Sequence, residues 1–325
     1  MYKFNRHMIV WVMVTLCLAC TKNTSPGQED NPLLGTEIAF DTAVVSYDQD
    51  PESGIQDTKL DMKFYNGTYT WEDGDKIKIV KYSYKSGHDT DAEYSYQSSK
   101  WTSASPLHWE DTGAHDFYAV YPSTASVSFV DPSLSYSDKA ALVSVEVPKN
   151  QSNTNLGKDY AMAGTVHVDN PEAQMSFRMY PLFTVLRFVF YNRTGTSLRV
   201  SPTQLVGWDE TSWPSEQFYL HGKFNVKTEA SESSSSGSKM VSSSFDGFSE
   251  TPSSRAIVLN AASTVSNYGN WGCQVYVVPN NYKRFVLRVN FTKGSNPMQT
   301  EQITYTASGN VFDPFKIHYL YLTVY

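Results

Sequence analysis

Phe285-Val286-Leu287-Arg288-Val289-Asn290-Phe291 sets an apolar side chain at every second position and places Arg288 and Asn290 between them. A period of two is the spacing of a β-strand with one face in a core and the other toward water. The same period returns at Ile38, Phe40, Thr42 and Val44, at Val143, Val145 and Val147, and at Leu320, Leu322 and Val324. No comparable stretch has the spacing and caps of an amphipathic helix, and the 22 Tyr and 17 Phe favour strands further. These patterns predict an all-β chain built as antiparallel sandwiches.

The 325 residues suffice for two domains of ordinary size, each with its own core. Asp169, Asn170, Pro171 and Glu172 interrupt the apolar pattern ahead of a long strand signal from Met175 to Asn192. Pro171 cannot donate a ladder hydrogen bond, so no central strand runs through it. The expected division is an N-terminal β-sandwich domain at 35–170 and a C-terminal one at 171–325. Pro181 predicts a bulge or an edge within the long run, with the strand proper starting at Leu182. Serine dominates Thr228 to Ser244, the composition of a surface loop inside the second domain.

Lys3, Arg6 and His7 precede an apolar run from Met8 to Ala19 that stops at Cys20, which is the plan of a signal peptide. The run is shorter than the roughly 20 residues that a helix needs to cross a ~30 Å hydrocarbon core. Residues 1–19 are therefore expected to be a cleaved leader. Cys20 follows Ala19 and Leu18, the small-residue context that lipoprotein processing requires, whereas Cys17 follows bulky Leu16 and leaves with the leader. Cys20 is thus the expected lipidation site, anchoring the chain to the outer membrane. Thr21, Lys22 and Asn23 carry no acidic cluster and leave the membrane face open. The alternative is cleavage by the ordinary signal peptidase, with Cys20 a plain thiol. Residues 20–34 are too polar to bury much apolar area and read as a tether. With Cys17 removed and Cys20 acylated, Cys273 has no thiol to pair with, so the fold must live on its core. The formal net charge of −7 argues against a nucleic-acid partner.

Several segments in register resemble the fimbrillin, or Mfa-like, family, whose members include type V pilus subunits. An early strand signal, Glu37 to Val45, follows the tether. Thr70-Trp71-Glu72-Asp73-Gly74-Asp75-Lys76-Ile77 is similar to the family's tryptophan, glycine-aspartate and isoleucine lead into a strand. Phe117 to Pro122, Asp159 to Ala163 and Phe177 to Asn192 follow, and Phe312 to Tyr325 resembles the family's last core strand. The resemblance implies two tandem sandwich domains of transthyretin-like type and a structural or adhesive role in the cell envelope, with pilus subunits or host and bacterial surface glycans as partners. Family pilins are cleaved after an arginine near the first strand, which opens a groove for a donor strand. Here no arginine lies between Cys20 and Phe177, and the sequence stops at Tyr325 with no donor appendage. The expectation is a terminal or anchoring pilus component or a non-polymerising monomer.

Residue by residue, no enzyme is expected. His108, Glu110, Asp111, His115 and Asp116 form the richest polar cluster, and two imidazoles seven positions apart could meet on one ion. No third ligand stands at a recognisable spacing, so no metal and no cofactor are predicted, and the segment reads as a solvated loop. His88, His167, His221 and His318 read as isolated, and no nucleophile-elbow or P-loop pattern occurs. Glu72 to Asp75 reads as a turn with Gly74 at positive φ rather than a calcium loop. Cys273 reads as a buried small side chain. Trp71 and Tyr118 to Tyr121 read as core and edge aromatics. The rival to a pilus-related role is a surface glycan-binding lipoprotein. Trp208 and Trp213 could stack on sugar C–H faces, with Asp209 and Glu210 accepting hydroxyl hydrogen bonds, and Trp271 sits in another Gly- and Asn-rich turn; the plainer alternative is that these tryptophans cap the ends of the sandwich. Asp41-Thr42-Ala43 also matches a short O-glycosylation pattern at Thr42, although a Thr42 that shares a face with Phe40 and Val44 would point inward.

Overall fold

Alternation predicts strands, and in the computed structural model every described segment of regular structure is a strand. The structure describes residues 31–44, 48–49, 70–129, 140–152, 161–208, 221–228, 240–241, 256–279, 284–296, 299–306 and 316–325. The strands of the first half are β1 (Phe40–Val44), β2 (Asp48–Gln49), β3 (Lys76–Ser83), β4 (His88–Gln97), β5 (Lys100–Thr102), β6 (His115–Tyr121), β7 (Ser126–Phe129), β8 (Ala140–Glu146), β9 (Asn150–Gln151) and β10 (Met162–Val168). Those of the second half are β11 (Met175–Pro181), β12 (Thr184–Asn192), β13 (Leu198–Trp208), β14 (His221–Thr228), β15 (Met240–Val241), β16 (Ile257–Leu259), β17 (Ser263–Val265), β18 (Asn270–Val277), β19 (Arg284–Lys293), β20 (Gln299–Thr306) and β21 (Lys316–Val324).

Four sheets result. A seven-stranded sheet runs β1-β11-β10-β6-β3-β4-β5, and a four-stranded sheet runs β15-β14-β8-β7. Phe129 of β7 packs on Tyr118 of β6 at 5.3 Å and on Tyr82 of β3 at 5.5 Å, joining these two sheets. A second pair consists of β18-β12-β21-β2 and β20-β19-β13-β16-β9, joined by Phe188 on Phe285 at 6.3 Å and Phe190 on Phe291 at 6.2 Å. Most pairings are antiparallel, as expected, but β1–β11, β12–β21, β9–β16 and β2–β21 are parallel. Leu33–Tyr325 forms one compact unit.

The strands do not sort at 170/171. Ala140–Lys227 pairing puts β14 beside β8, and β11 lies between β1 and β10, so β11, β14 and β15 from the second half join the first pair of sheets. Conversely β2 and β9, from the first half, join the second pair. The physical reason is that a strand pairs with whichever edge its apolar face can cover, whatever its place in the chain. The long run is not one strand with a bulge or an edge at Pro181 and a start at Leu182: β11 ends on Pro181 and β12 starts at Thr184 in a different sheet.

Burial follows sheet position. β6, flanked by β3 and β10, is buried along its whole length, and β12, flanked by β18 and β21, nearly so. β11 alternates, with Met175, Phe177 and Met179 inside and Ser176 and Arg178 outside. β1, at the end of its sheet, alternates with Phe40, Thr42 and Val44 half-buried and Asp41 and Ala43 exposed, the face predicted from period two. No helix among the described residues is long and apolar enough to cross a membrane.

A candidate binding cleft between the two ends of the first sheet

The seven-stranded sheet curls so far that its terminal strands face each other. Gly35 N donates to Trp109 O at 2.8 Å, Trp109 N to Thr36 O at 3.1 Å and Ile38 N to Leu107 O at 2.9 Å. These bonds tie the lead-in to β1 against the segment that follows β5. Beside them a cleft of about 660 Å³ opens between Phe40–Thr42 on one side and Ser99–Trp101 on the other.

Local chemistry places each wall. Glu72 to Asp75 forms the predicted turn, with Gly74 at φ +97°, the Asp75 amide donating to Glu72 O at 3.0 Å and the Asp75 carboxylate accepting from Glu72 N at 2.7 Å. That turn aims Trp71 at the cleft. The β4–β5 hairpin turns on Ser98 and Ser99, both in the left-handed region at φ 50° and 66°, and the Asp73 carboxylate accepts from Ser98 N at 2.9 Å. Tyr94 and Tyr96, two apart on β4, share a face: Tyr94 is buried, with its hydroxyl accepting from Leu107 N at 2.8 Å, and Tyr96 is half-buried. Burial pushes the Tyr94 phenol up from its ordinary value, against the pull of the Leu107 amide.

The floor is aromatic. Trp71 meets Trp101 edge to face at 5.0 Å, Tyr96 meets Trp101 at 5.1 Å, and Phe40 lies against Tyr94 at 4.8 Å. Trp101 also stacks on Phe40 at 6.4 Å and donates from Nε1 to Thr42 Oγ1 at 3.1 Å. Glu37, Asp41, Ser99, Lys100 and Gln174 form an exposed rim. The arrangement can hold a ligand that has both apolar faces and hydrogen-bonding groups.

Of the residues singled out from sequence, Thr42 is brought here, facing inward with its hydroxyl engaged by Trp101. Trp208 is the last residue of β13, opposite Arg284. Asp209, Glu210, Trp213 and Cys20 lie outside the described residues. Trp271 is in β18 rather than a turn, stacked on Phe190 at 5.9 Å. Tyr118 and Tyr121 are buried core residues, but Trp71 is half-buried and lines the cleft. Sequence reading passed over Tyr96 and Trp101. The period-two Tyr94/Tyr96 pair was the available signal.

The polar cluster divides. His108 and Glu110 are exposed, as a solvated loop requires, whereas His115 and Asp116 begin β6 and are buried. His115 packs on Trp109 at 5.3 Å and stands 3.6 Å from Asp111. Asp116 accepts from the Tyr84 hydroxyl at 2.5 Å and faces His167 Nδ1 at 2.7 Å, while His167 Nε2 meets Asp169 at 3.2 Å. His167 is therefore not isolated. Among the described residues no group of three or more His, Cys, Asp or Glu is placed to hold a metal ion. Cys273 is buried, and burial pushes its thiol to about 12, so it stays protonated and inert.

A fimbrillin-like family model matches residues 63–321. Among solved structures, the chain is similar to a candidate cell adhesion protein of Bacteroides ovatus, with 11% identity, TM-score 0.50, and 88% of this chain and 91% of that one covered. Others from Bacteroides uniformis and Bacteroides fragilis align with 15% and 10% identity, TM-scores of 0.45 and 0.46, covering 78% and 88% of this chain and 88% and 92% of theirs. No curated protein matches the sequence.

Proposed function

The chain belongs to the fimbrillin-like family, and from that premise we propose that it is an adhesive or structural lipoprotein of the cell envelope. In this reading Cys20 carries the lipid, each pair of sheets acts as a sandwich domain, and the chain serves as an anchoring or terminal pilus component or as a non-polymerising monomer. It has no catalytic role.

The observation that carries this reading is β1 in place. It pairs with β11 over five residues, from Phe40 opposite Met175 to Val44 opposite Met179. Burying Phe40, Val44 and the neighbouring Ile38 contributes roughly 1.5–3 kcal/mol each at full burial, against about 1–2 kcal/mol per residue for ordering the strand. The net hold is modest and depends on the ladder and on covalent attachment. Losing β1 would bare the edge of β11, a template for another chain's strand. No arginine lies between Cys20 and Phe177 to allow the cut.

Two measurements test the reading. Size-exclusion chromatography with light scattering should find the mature protein monomeric before and after an arginine-specific protease, with intact mass retaining residues 37–45. Oligomers that form only as that segment is lost would establish a polymerising pilin instead. Metabolic labelling with a fatty-acid probe should fail in a Cys20→Ala variant, and undiminished label there would remove the lipid anchor at that residue. A second reading, surface glycan binding, is favoured by the aromatic floor of the cleft between β1 and β5.

A further inference from the structure

We propose that the cleft between β1 and β5 is a binding site for a neutral carbohydrate. The inference rests on the adhesive reading and names a ligand class and a place for it.

Three half-buried rings, Trp71, Tyr96 and Trp101, meet at this one opening. Edge-to-face packing at 5.0 Å and 5.1 Å fixes their orientation, so little side-chain freedom is lost when a ligand arrives. An aromatic face carries partial negative charge, and the C–H bonds on one side of a pyranose ring carry partial positive charge, so the two stack. Sugar hydroxyls both donate and accept. The rim answers with carboxylates at Glu37 and Asp41, which accept, the ammonium of Lys100, which donates, and the amide of Gln174, which does both. A volume of about 660 Å³ lies within the ~300–1,000 Å³ usual for small-molecule sites.

Charge and geometry exclude the obvious competitors. Two carboxylates against one lysine repel an acidic polysaccharide. An inserted peptide strand would have to sit about 4.8 Å from both β1 and β5, in the space that the Trp101–Thr42 hydrogen bond and the Phe40–Trp101 stack cross. A sugar can lie over the aromatic floor and leave that crossbar intact.

The test uses the full mature chain on an array of neutral gluco-, manno-, galacto- and N-acetylglucosamine oligosaccharides, with calorimetric titration of the strongest binder. At least one should bind. Trp101→Ala and Tyr96→Ala should each weaken it at least tenfold. Because loss of Trp101 could loosen β1, the exposed rim variant Asp41→Ala provides a second probe, expected to weaken binding several-fold with an unchanged near-ultraviolet spectrum. Trp213→Ala should have no effect. The proposal is overturned if no neutral oligosaccharide binds, if only acidic glycans or extended peptides bind, if the three cleft variants bind as the wild type does, or if Trp213→Ala abolishes binding. Attachment of protein-coated beads to bacterial or host cells reads the adhesive role separately: attachment that survives Trp101→Ala overturns the cleft while leaving the adhesive reading standing.

Discussion

His115 contributes to the protein's response to acid. Burial pushes its imidazole below the ordinary value, against the raising pull of Asp111 at 3.6 Å and of the Gly113 backbone; of the more distant charges, Lys81 lowers it and Glu110 raises it. The unfolded ring takes up a proton at about pH 6.5, and the folded ring only at lower pH. Acidification from there favours the unfolded state until the folded ring is protonated as well. A His115→Phe variant should therefore lose a few degrees less of its thermal midpoint than the wild type between pH 7.5 and 5, by calorimetry. Equal slopes would show that His115 does not govern this window. Asp111 acts lower. Burial pushes its carboxyl up, but the Ser83 hydroxyl at 2.6 Å and the Gly113 amide at 2.7 Å outweigh that and leave it below its usual range. Its stabilising share is present above about pH 3.9 and is lost as pH falls through the lower folded value.

Among the elements, β10 has no room for one added carbon at Gly164. Gly164 sits opposite Ala119 of β6, and a Cβ there would stand 2.5 Å from the Arg178 carbonyl oxygen and 3.1 Å from its carbon in β11. Those are backbone atoms of a neighbouring strand, so the strand itself must shift. Gly164→Ala should cost about 1–3 kcal/mol by urea unfolding, and a cost near zero would mean that β11 yields freely at this point. β11 and β12 show how chemistry divides an element: Pro181 ends the ladder, the chain turns through Leu182 and Phe183, and the same apolar run then serves a second sheet.

At the scale of the molecule, the exchange of strands binds the two halves of the chain. Gln151 is buried, with its amide donating to Tyr276 O at 2.9 Å and to Pro148 O at 3.1 Å, and its carbonyl accepting from Tyr276 N at 2.8 Å. A first-half residue thus spans both sheets of the second pair. Gln151→Ala leaves the Tyr276 amide and carbonyl without this partner inside the protein and should cost roughly 2–3 kcal/mol in urea unfolding. Cutting the chain is more severe. Fragments 33–170 and 171–325, expressed apart, should each lack native near-ultraviolet circular dichroism, because β11, β14 and β15 are missing from the first and β2 and β9 from the second. Two independently folded fragments would show that the exchanged strands are dispensable.

Sequence alone determined what is local: strands from period two, the turn at Glu72 to Asp75 from Gly74, an irregularity at Pro181 and the inward face of Thr42, because each depends on a few adjacent residues and on backbone sterics. It also carried the family, because the motifs stand in register along the chain. Tertiary structure alone decided which strands are neighbours, since Thr42 and Trp101 are 59 positions apart and Gln151 and Tyr276 are 125 apart. Period-two patterns say that a strand has an apolar face and nothing about which sheet will cover it. The cleft follows from the same freedom: it exists because a seven-stranded sheet curls until its two ends meet without pairing, and curvature accumulates over the whole sheet rather than being written at any one residue.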